Sequence, residues 1–251
     1  MKKLLSVALA IVMLLLCFVA CADGKQDEIS EEDIVRPPVR ESEFTAQSRY
    51  DTSDLNIAAL SAEADAIVRL KIKNWTGYIY FDSISCFEAE VIEVYKGDIP
   101  TEIILAQHGT PECTFEDFPL FTYGEELLLF LNDINVVLER SQNANPDVDY
   151  PEFEYDNAYS IVGTPLNVWN VATLDSGEAY IVPQISHSPL VDELTESAKC
   201  KNYGAETSIS TKGAEAAQIL MATDSYDNPG SNPRYIFKLS DVTDYIKDAV
   251  E

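Results

Sequence analysis

Between Cys86 and Tyr95 the chain alternates apolar and polar residues and then changes phase, and this slip constrains the fold more than any other feature. Phe87, Ala89 and Val91 alternate with Glu88 and Glu90; from there Ile92 and Val94 are apolar and Glu93 is polar. A period of two marks a half-buried strand. A two-residue apolar step inside it calls for an extra residue on one strand, as in a β-bulge or at a barrel corner.

Upstream, Val68, Leu70 and Ile72 alternate with Arg69, Lys71 and Lys73, a second strand with one wet face. The two are expected to pair antiparallel across Gly77–Ser83. A register with Lys71 opposite Glu88 and Arg69 opposite Glu90 sets opposite charges together. It also places Leu70 with Ala89 and Ile72 with Phe87 in the core. Ser53 or Asp54 is expected to cap a short helix carrying Leu55, Ile57, Ala58, Leu60 and Ala62.

Lys96-Gly97-Asp98 reads as a turn, Thr101 to His108 as a third strand, and 109–123 as a loop. Glu126 to Leu131 is an apolar run of the kind found in strands buried on both faces. Residues 141–158 are acidic and interrupted by Pro146 and Pro151, and read as an excursion. Further strands are expected at Tyr159–Val162, Leu166–Val171 and Ala179–Val182, a weakly helical stretch over 190–222, and a short extended piece at Tyr235–Lys238. Ser240-Asp241 is expected to cap a last helix with Val242, Tyr245, Ile246 and Val250 on one face.

The amino terminus gives an address. Lys2 and Lys3 precede an uncharged run from Leu4 to Ala20, and Cys21 follows. That is the layout of an export signal, and Phe18-Val19-Ala20-Cys21 resembles the lipobox of bacterial lipoproteins, in which the Cys is acylated and becomes the first mature residue. The division expected is a signal peptide over 1–20, the lipidated Cys21 with an acidic tether over 21–52, and one β-rich domain over 53–251. The tether spans roughly 30 Å as a flexible coil. The lipid on Cys21 would hold the protein to the extracytoplasmic face of the membrane.

The chain of 251 residues carries 43 acidic against 17 basic side chains, a net charge of −26. Loss of Lys2 and Lys3 with the leader makes it more negative still. Such a surface repels phosphate backbones, so nucleic acid is not an expected partner. After export and acylation Cys86, Cys113 and Cys200 remain. They show no CxxC or metal-ligand spacing, and they are expected as reduced, apolar-packed thiols.

The block from Glu63 to Asn132 resembles the TIMP-like or netrin-like branch of the OB fold, and a group of bacterial lipoproteins built the same way. The resemblance lies in EADAIVRLKI (Glu63–Ile72), FEAEVIEVYKGD (Phe87–Asp98), IILAQHG (Ile103–Gly109) and YGEELLLFL (Tyr123–Leu131). It implies a mainly β, α+β fold: an OB-like antiparallel β-barrel with a short N-terminal helix and a C-terminal helix. Tissue inhibitors of metalloproteinases act through a free N-terminal Cys on the catalytic zinc. Here Cys21 is expected to be acylated and stands far before the barrel, so no inhibitory residue carries over.

No G-x-S-x-G elbow accompanies His108 or His187, and nothing selects a pair of carboxylates for catalysis. No catalytic residue and no cofactor is expected. Asp147, Asp149, Glu152 and Asp156 form a weak calcium candidate, without the glycine of an EF-hand loop. Trp75, Tyr78 and Tyr80 near the first hairpin, with Tyr150, Phe153 and Tyr155 in the excursion, are candidates for an aromatic ligand face. Loops 74–84, 109–123 and 141–158 are expected together at the barrel mouth. The leading expectation is a non-enzymatic binding module for a protein or cell-envelope ligand. The alternative is an envelope enzyme or inhibitor-like protein acting on peptides or peptidoglycan.

Overall fold

The computed structural model describes residues 44–46, 55–79, 84–115, 119–144, 146, 156–162, 165–174, 176–184, 188–203 and 235–250. The strands are β1 (Phe44–Ala46), β2 (Ala66–Ile79), β3 (Ile84–Lys96), β4 (Glu102–His108), β5 (Cys113–Phe115), β6 (Glu126–Asp133), β7 (Ala158–Ile161), β8 (Trp169–Thr173), β9 (Ala179–Pro183) and β10 (Phe237–Lys238). The helices are α1 (Ile57–Glu63), α2 (Ile134–Ala144), α3 (Pro189–Glu196) and α4 (Leu239–Val250).

Strands β6, β2, β3, β4 and β7 pair in that order, and β7 returns to pair with β6, closing a five-stranded barrel. All of these pairings are antiparallel except β4 with β7. This is an OB-like connectivity, in a mainly β fold with helices at both ends of the domain. Beyond the barrel the sheet continues from β6 through β8 and β9 to β10. β1, drawn from the stretch read as tether, pairs parallel with β5.

Alternation sorts the side chains into two cores. Val68, Leu70, Ile72, Phe87, Leu105, Leu127, Leu129 and Leu131 fill the barrel. Ile67, Leu128 and Phe130 point the other way, onto Trp169, Ile181, Ile57, Leu190, Leu194, Val242 and Ile246. Six consecutive residues of β6, Leu127 to Asn132, are buried. The unbroken apolar run of that strand thus reflects burial on both faces, by the barrel interior and by the layer of α1, α3 and α4.

The phase slip is a bulge. Arg69 faces Glu93 while Leu70 faces Val91, so Ile92 has no partner across the pair and is 43% exposed. The expected register is corrected by two residues past the bulge, where Lys71 lies opposite Glu90, Leu70 opposite Val91 and Ile72 opposite Ala89, and by three before it, where Arg69 lies opposite Glu93 and not Glu90. β2 runs on through Thr76 to Ile79, which moves the hairpin tip along the chain. An even shift keeps every side chain on its face, so the core assignment survives while the charge pairing changes. Lys73 and Glu90 form the ion pair, at 2.6 Å.

Two helix boundaries and one whole helix differ from expectation. Asn56, not Ser53 or Asp54, caps α1, its Oδ1 accepting from Ala59 N at 2.8 Å. α4 begins at Leu239, which places Ser240 and Asp241 inside its first turn. α2 was not expected. It follows β6 directly and buries little of itself beyond Ile134, so its apolar period is faint. Much of 190–222 lies outside the described residues; within it α3 forms, capped by Ser188.

The Lys96-Gly97 turn fastens α1 to the barrel. Lys96 Nζ donates to Ser61 O at 2.5 Å and to Ala64 O at 2.6 Å, carbonyls at the end of α1 that lack helical partners. Gly97 has φ +87°, and its Cα lies so near β2 that an added Cβ would stand 2.4 Å from Asp65 O.

Candidate functional site

The β2–β3 tip and the chain leaving β4 emerge at one end of the barrel, because Ile84 pairs with both Ile79 and His108. This end carries the described part of the candidate aromatic face. Gln107, 1% exposed, closes it: its Nε2 donates to Pro119 O at 2.7 Å and its Oε1 accepts from Phe121 N at 2.9 Å. Ser85 Oγ donates to Gly109 O at 2.8 Å. The clamped loop lowers Phe121 into the barrel, edge-on to Phe87 with ring centroids 5.7 Å apart. The interior at this end is therefore occupied by side chains.

Trp75 lies opposite Phe87 and is half-buried, packed against the barrel interior. Part of its indole is thus committed to the core. The backbone of Tyr78 pairs with Ser85; its side chain, together with Tyr80, Tyr150, Phe153 and Tyr155, lies outside the described residues. Tyr123, at the end of the expected 109–123 loop, is 37% exposed at this end. Its loop is bound to β2 through Gly124 N to Ile72 O and Ile72 N to Glu125 O, both 2.9 Å. Nearby, the hydrogen bond to Glu90 holds the Lys73 ammonium above its ordinary pKa, and the Tyr123 phenol adds to the effect.

Of the three loops expected at one mouth, 141–158 lies largely outside the described residues. β6 ends and β7 begins beside Asp65 and Ala66, at the other end of the barrel. That end is acidic. Burial raises the pKa of the half-buried Tyr159 phenol, and the carboxylates of Asp133, Asp65 and Asp98 push it further. Asp65 and Asp133 are engaged with backbone: Asp65 Oδ2 accepts from Asp133 N at 3.1 Å, and Asp133 Oδ1 from Asn135 N at 2.8 Å.

His108 is exposed at the end of β4, and His187 lies outside the described residues. Cys86, Cys113 and Cys200 carry free thiols. Burial pushes the Cys86 thiol up to about 11. Burial, with the nearby Asp241 carboxylate, does the same for Cys200, also to about 11. Neither is an activated nucleophile at neutral pH. Among the described residues no group of three or more His, Cys, Asp or Glu side chains is placed to hold a metal ion. Asp156 is exposed, and Asp147, Asp149 and Glu152 of the calcium candidate lie outside the described residues. So does Cys21 with the apolar run before it; no helix of the described residues is long and apolar enough to cross a membrane. Comparison with protein-family models, with curated proteins and with solved structures returned no match for this chain.

Proposed function

We propose that this protein is a lipid-anchored extracytoplasmic lipoprotein, a TIMP-like or netrin-like OB barrel that works as a binding module at the cell envelope. The observation that carries the reading is the filled barrel. Phe87, Phe121, Leu105 and Leu129 occupy the interior with no exposed surface, so the loops and the outer face remain for a ligand. The net charge of −26 disfavours nucleic acid and favours a neutral or cationic partner. The Lys2-to-Cys21 segment supports the anchoring.

Labelled palmitate should enter the wild-type chain and not Cys21→Ser, and protease added to spheroplasts should digest the domain. Unlabelled wild-type protein would sink the anchoring half of the proposal. Binding is tested by hydrogen exchange of the full chain with and without purified cell-envelope fragments. Protection confined to the loops at the Trp75–Tyr123 end is expected; uniform exchange would overturn the binding half.

A further inference from the structure

The strand drawn from the stretch read as tether reaches the domain at one particular end. β1 runs parallel to β5, with Phe44 opposite Cys113, Thr45 opposite Thr114 and Ala46 opposite Phe115. β5 is itself tied back to the end of β4. Thr110 N donates to Cys113 O at 2.9 Å, and Cys113 N to Thr110 O at 3.1 Å. Gly109, between Thr110 and His108, accepts from Ser85 Oγ at 2.8 Å, and His108 pairs with Ile84 beside the first hairpin. A short run of hydrogen bonds thus joins β1 to the Trp75–Tyr123 end of the barrel. The next described element, α1, is fastened by Lys96 at the other end.

Two lengths decide what this does to a chain held by a lipid on Cys21. Residues 22–43 separate Cys21 from Phe44, and a coil of that length spans roughly 25 Å. β2 runs 14 residues from one end of the barrel to the other, about 40 Å of strand. The coil is shorter than the strand, so the end that carries β1 stays near the bilayer and the other end stands off. Fixed first at α1 instead, the domain would point the opposite way. The end held outward is the one with Asp65, Asp98 and Asp133, carboxylates that anionic headgroups repel.

We infer that β1 and β5 form a clasp that turns the Trp75–Tyr123 end toward the membrane, and that the partner met there is a membrane protein presenting a neutral or basic segment close to the bilayer. The inference rests on the proposed lipid anchor and binding surface, and it narrows the class of ligand. A wall polymer lies outward and faces the other end. Bare lipid is disfavoured by the net charge of −26.

The full chain, purified from membranes, is placed in phosphatidylcholine vesicles that carry an energy acceptor on their headgroups. In a Cys113→Ser background, a donor dye is attached at Glu88→Cys, opposite Asn74, or at Asp98→Cys, beside Gly97; both positions are exposed. Transfer from position 88 should exceed that from position 98 by about threefold or more, as the spans of coil and strand require. Thr45→Pro/Ala46→Pro removes two consecutive backbone donors of β1 and should erase the difference; a difference that persists overturns the clasp. If that variant does not fold, the contrast between positions 88 and 98 still decides the orientation. Equal transfer from a chain that carries its lipid overturns the inference alone, whereas a chain without lipid overturns the anchoring and the inference together. Proteoliposomes of the membrane's own proteins should slow hydrogen exchange severalfold at the Trp75–Tyr123 end. Slowing by protein-free anionic vesicles or by soluble wall polymer, and not by proteoliposomes, overturns the partner class.

Discussion

Replacing Gly97 by Ala tests whether close approach of the β3 end to the start of β2 holds the barrel and α1 together. Two costs are separable. The residue has φ +87°, and a Cβ in the left-handed region costs about 1–2 kcal/mol. The new methyl would also stand 2.4 Å from Asp65 O, 3.1 Å from Ala66 Cα and 3.2 Å from Ala66 Cβ. These are mainly backbone atoms, held by the pairing of Ala66 with Leu131 and by Asp65 N donating to Asn132 Oδ1 at 3.0 Å, so the chain must shift rather than a side chain rotate. Overpacking of this kind costs about 1–3 kcal/mol, for a total of about 2–5 kcal/mol. In a domain of this size, Tm should fall by about 5–15 °C. Gly177 supplies the control, with φ +84° and nothing within 4 Å of an added Cβ. Gly177→Ala should therefore show the backbone cost alone, about 2–6 °C. Thermal unfolding followed by circular dichroism measures both. Equal losses in the two variants would refute the close-approach argument and leave only the dihedral.

Gln107→Leu removes the amide that holds Pro119 and Phe121 and leaves Phe121 N buried without its acceptor. A loss of about 2–4 kcal/mol is expected in denaturant titration, with faster hydrogen exchange at Phe121; an unaltered midpoint would show that the loop is held by Phe121 packing alone. The buried thiols make stability fall in alkali. Their folded pKa values, about 11 for Cys86 and Cys200, lie above the ordinary value of 9.0, so the unfolded chain ionises first. The contribution is complete below pH 9 and is lost as pH rises toward 11, by roughly 2–3 kcal/mol per thiol. Denaturant titrations at pH 8 and pH 10.5 on wild type and Cys86→Ala should show a smaller alkaline loss in the variant; parallel losses would refute the assignment.

Local pattern was enough to locate the barrel strands. Alternation marked β2 and β3, the double apolar step at Val91-Ile92 marked the bulge, and the continuous run at Leu127–Leu131 marked a strand buried on both faces. These signals are local because each strand face meets one environment. The hairpin register was not legible at single-residue precision: a shift of two residues leaves every face unchanged, and the extent of β2 through Ile79, with the irregularities at Ile72/Asn74 and Trp75/Gly77, selects between registers. α2 was missed because it exposes most of its surface. Of the candidate face, Trp75 was legible as an aromatic near the first hairpin, while Tyr123 carried no signal, since its position depends on a loop bound to a distant strand.

Residue order alone located the five barrel strands, the faces they bury and an irregularity in β3, but not β1 or β5, which lie in stretches that read as tether and loop. Those properties follow from side-chain period and backbone sterics, which act over a few residues. Closure was decided in three dimensions. β7 must find both β4 and β6, β8 must join the edge of β6 that β7 also uses, and Lys96 must reach carbonyls of a helix some thirty residues earlier. Each of these contacts joins segments far apart in sequence, and no local period encodes the partner.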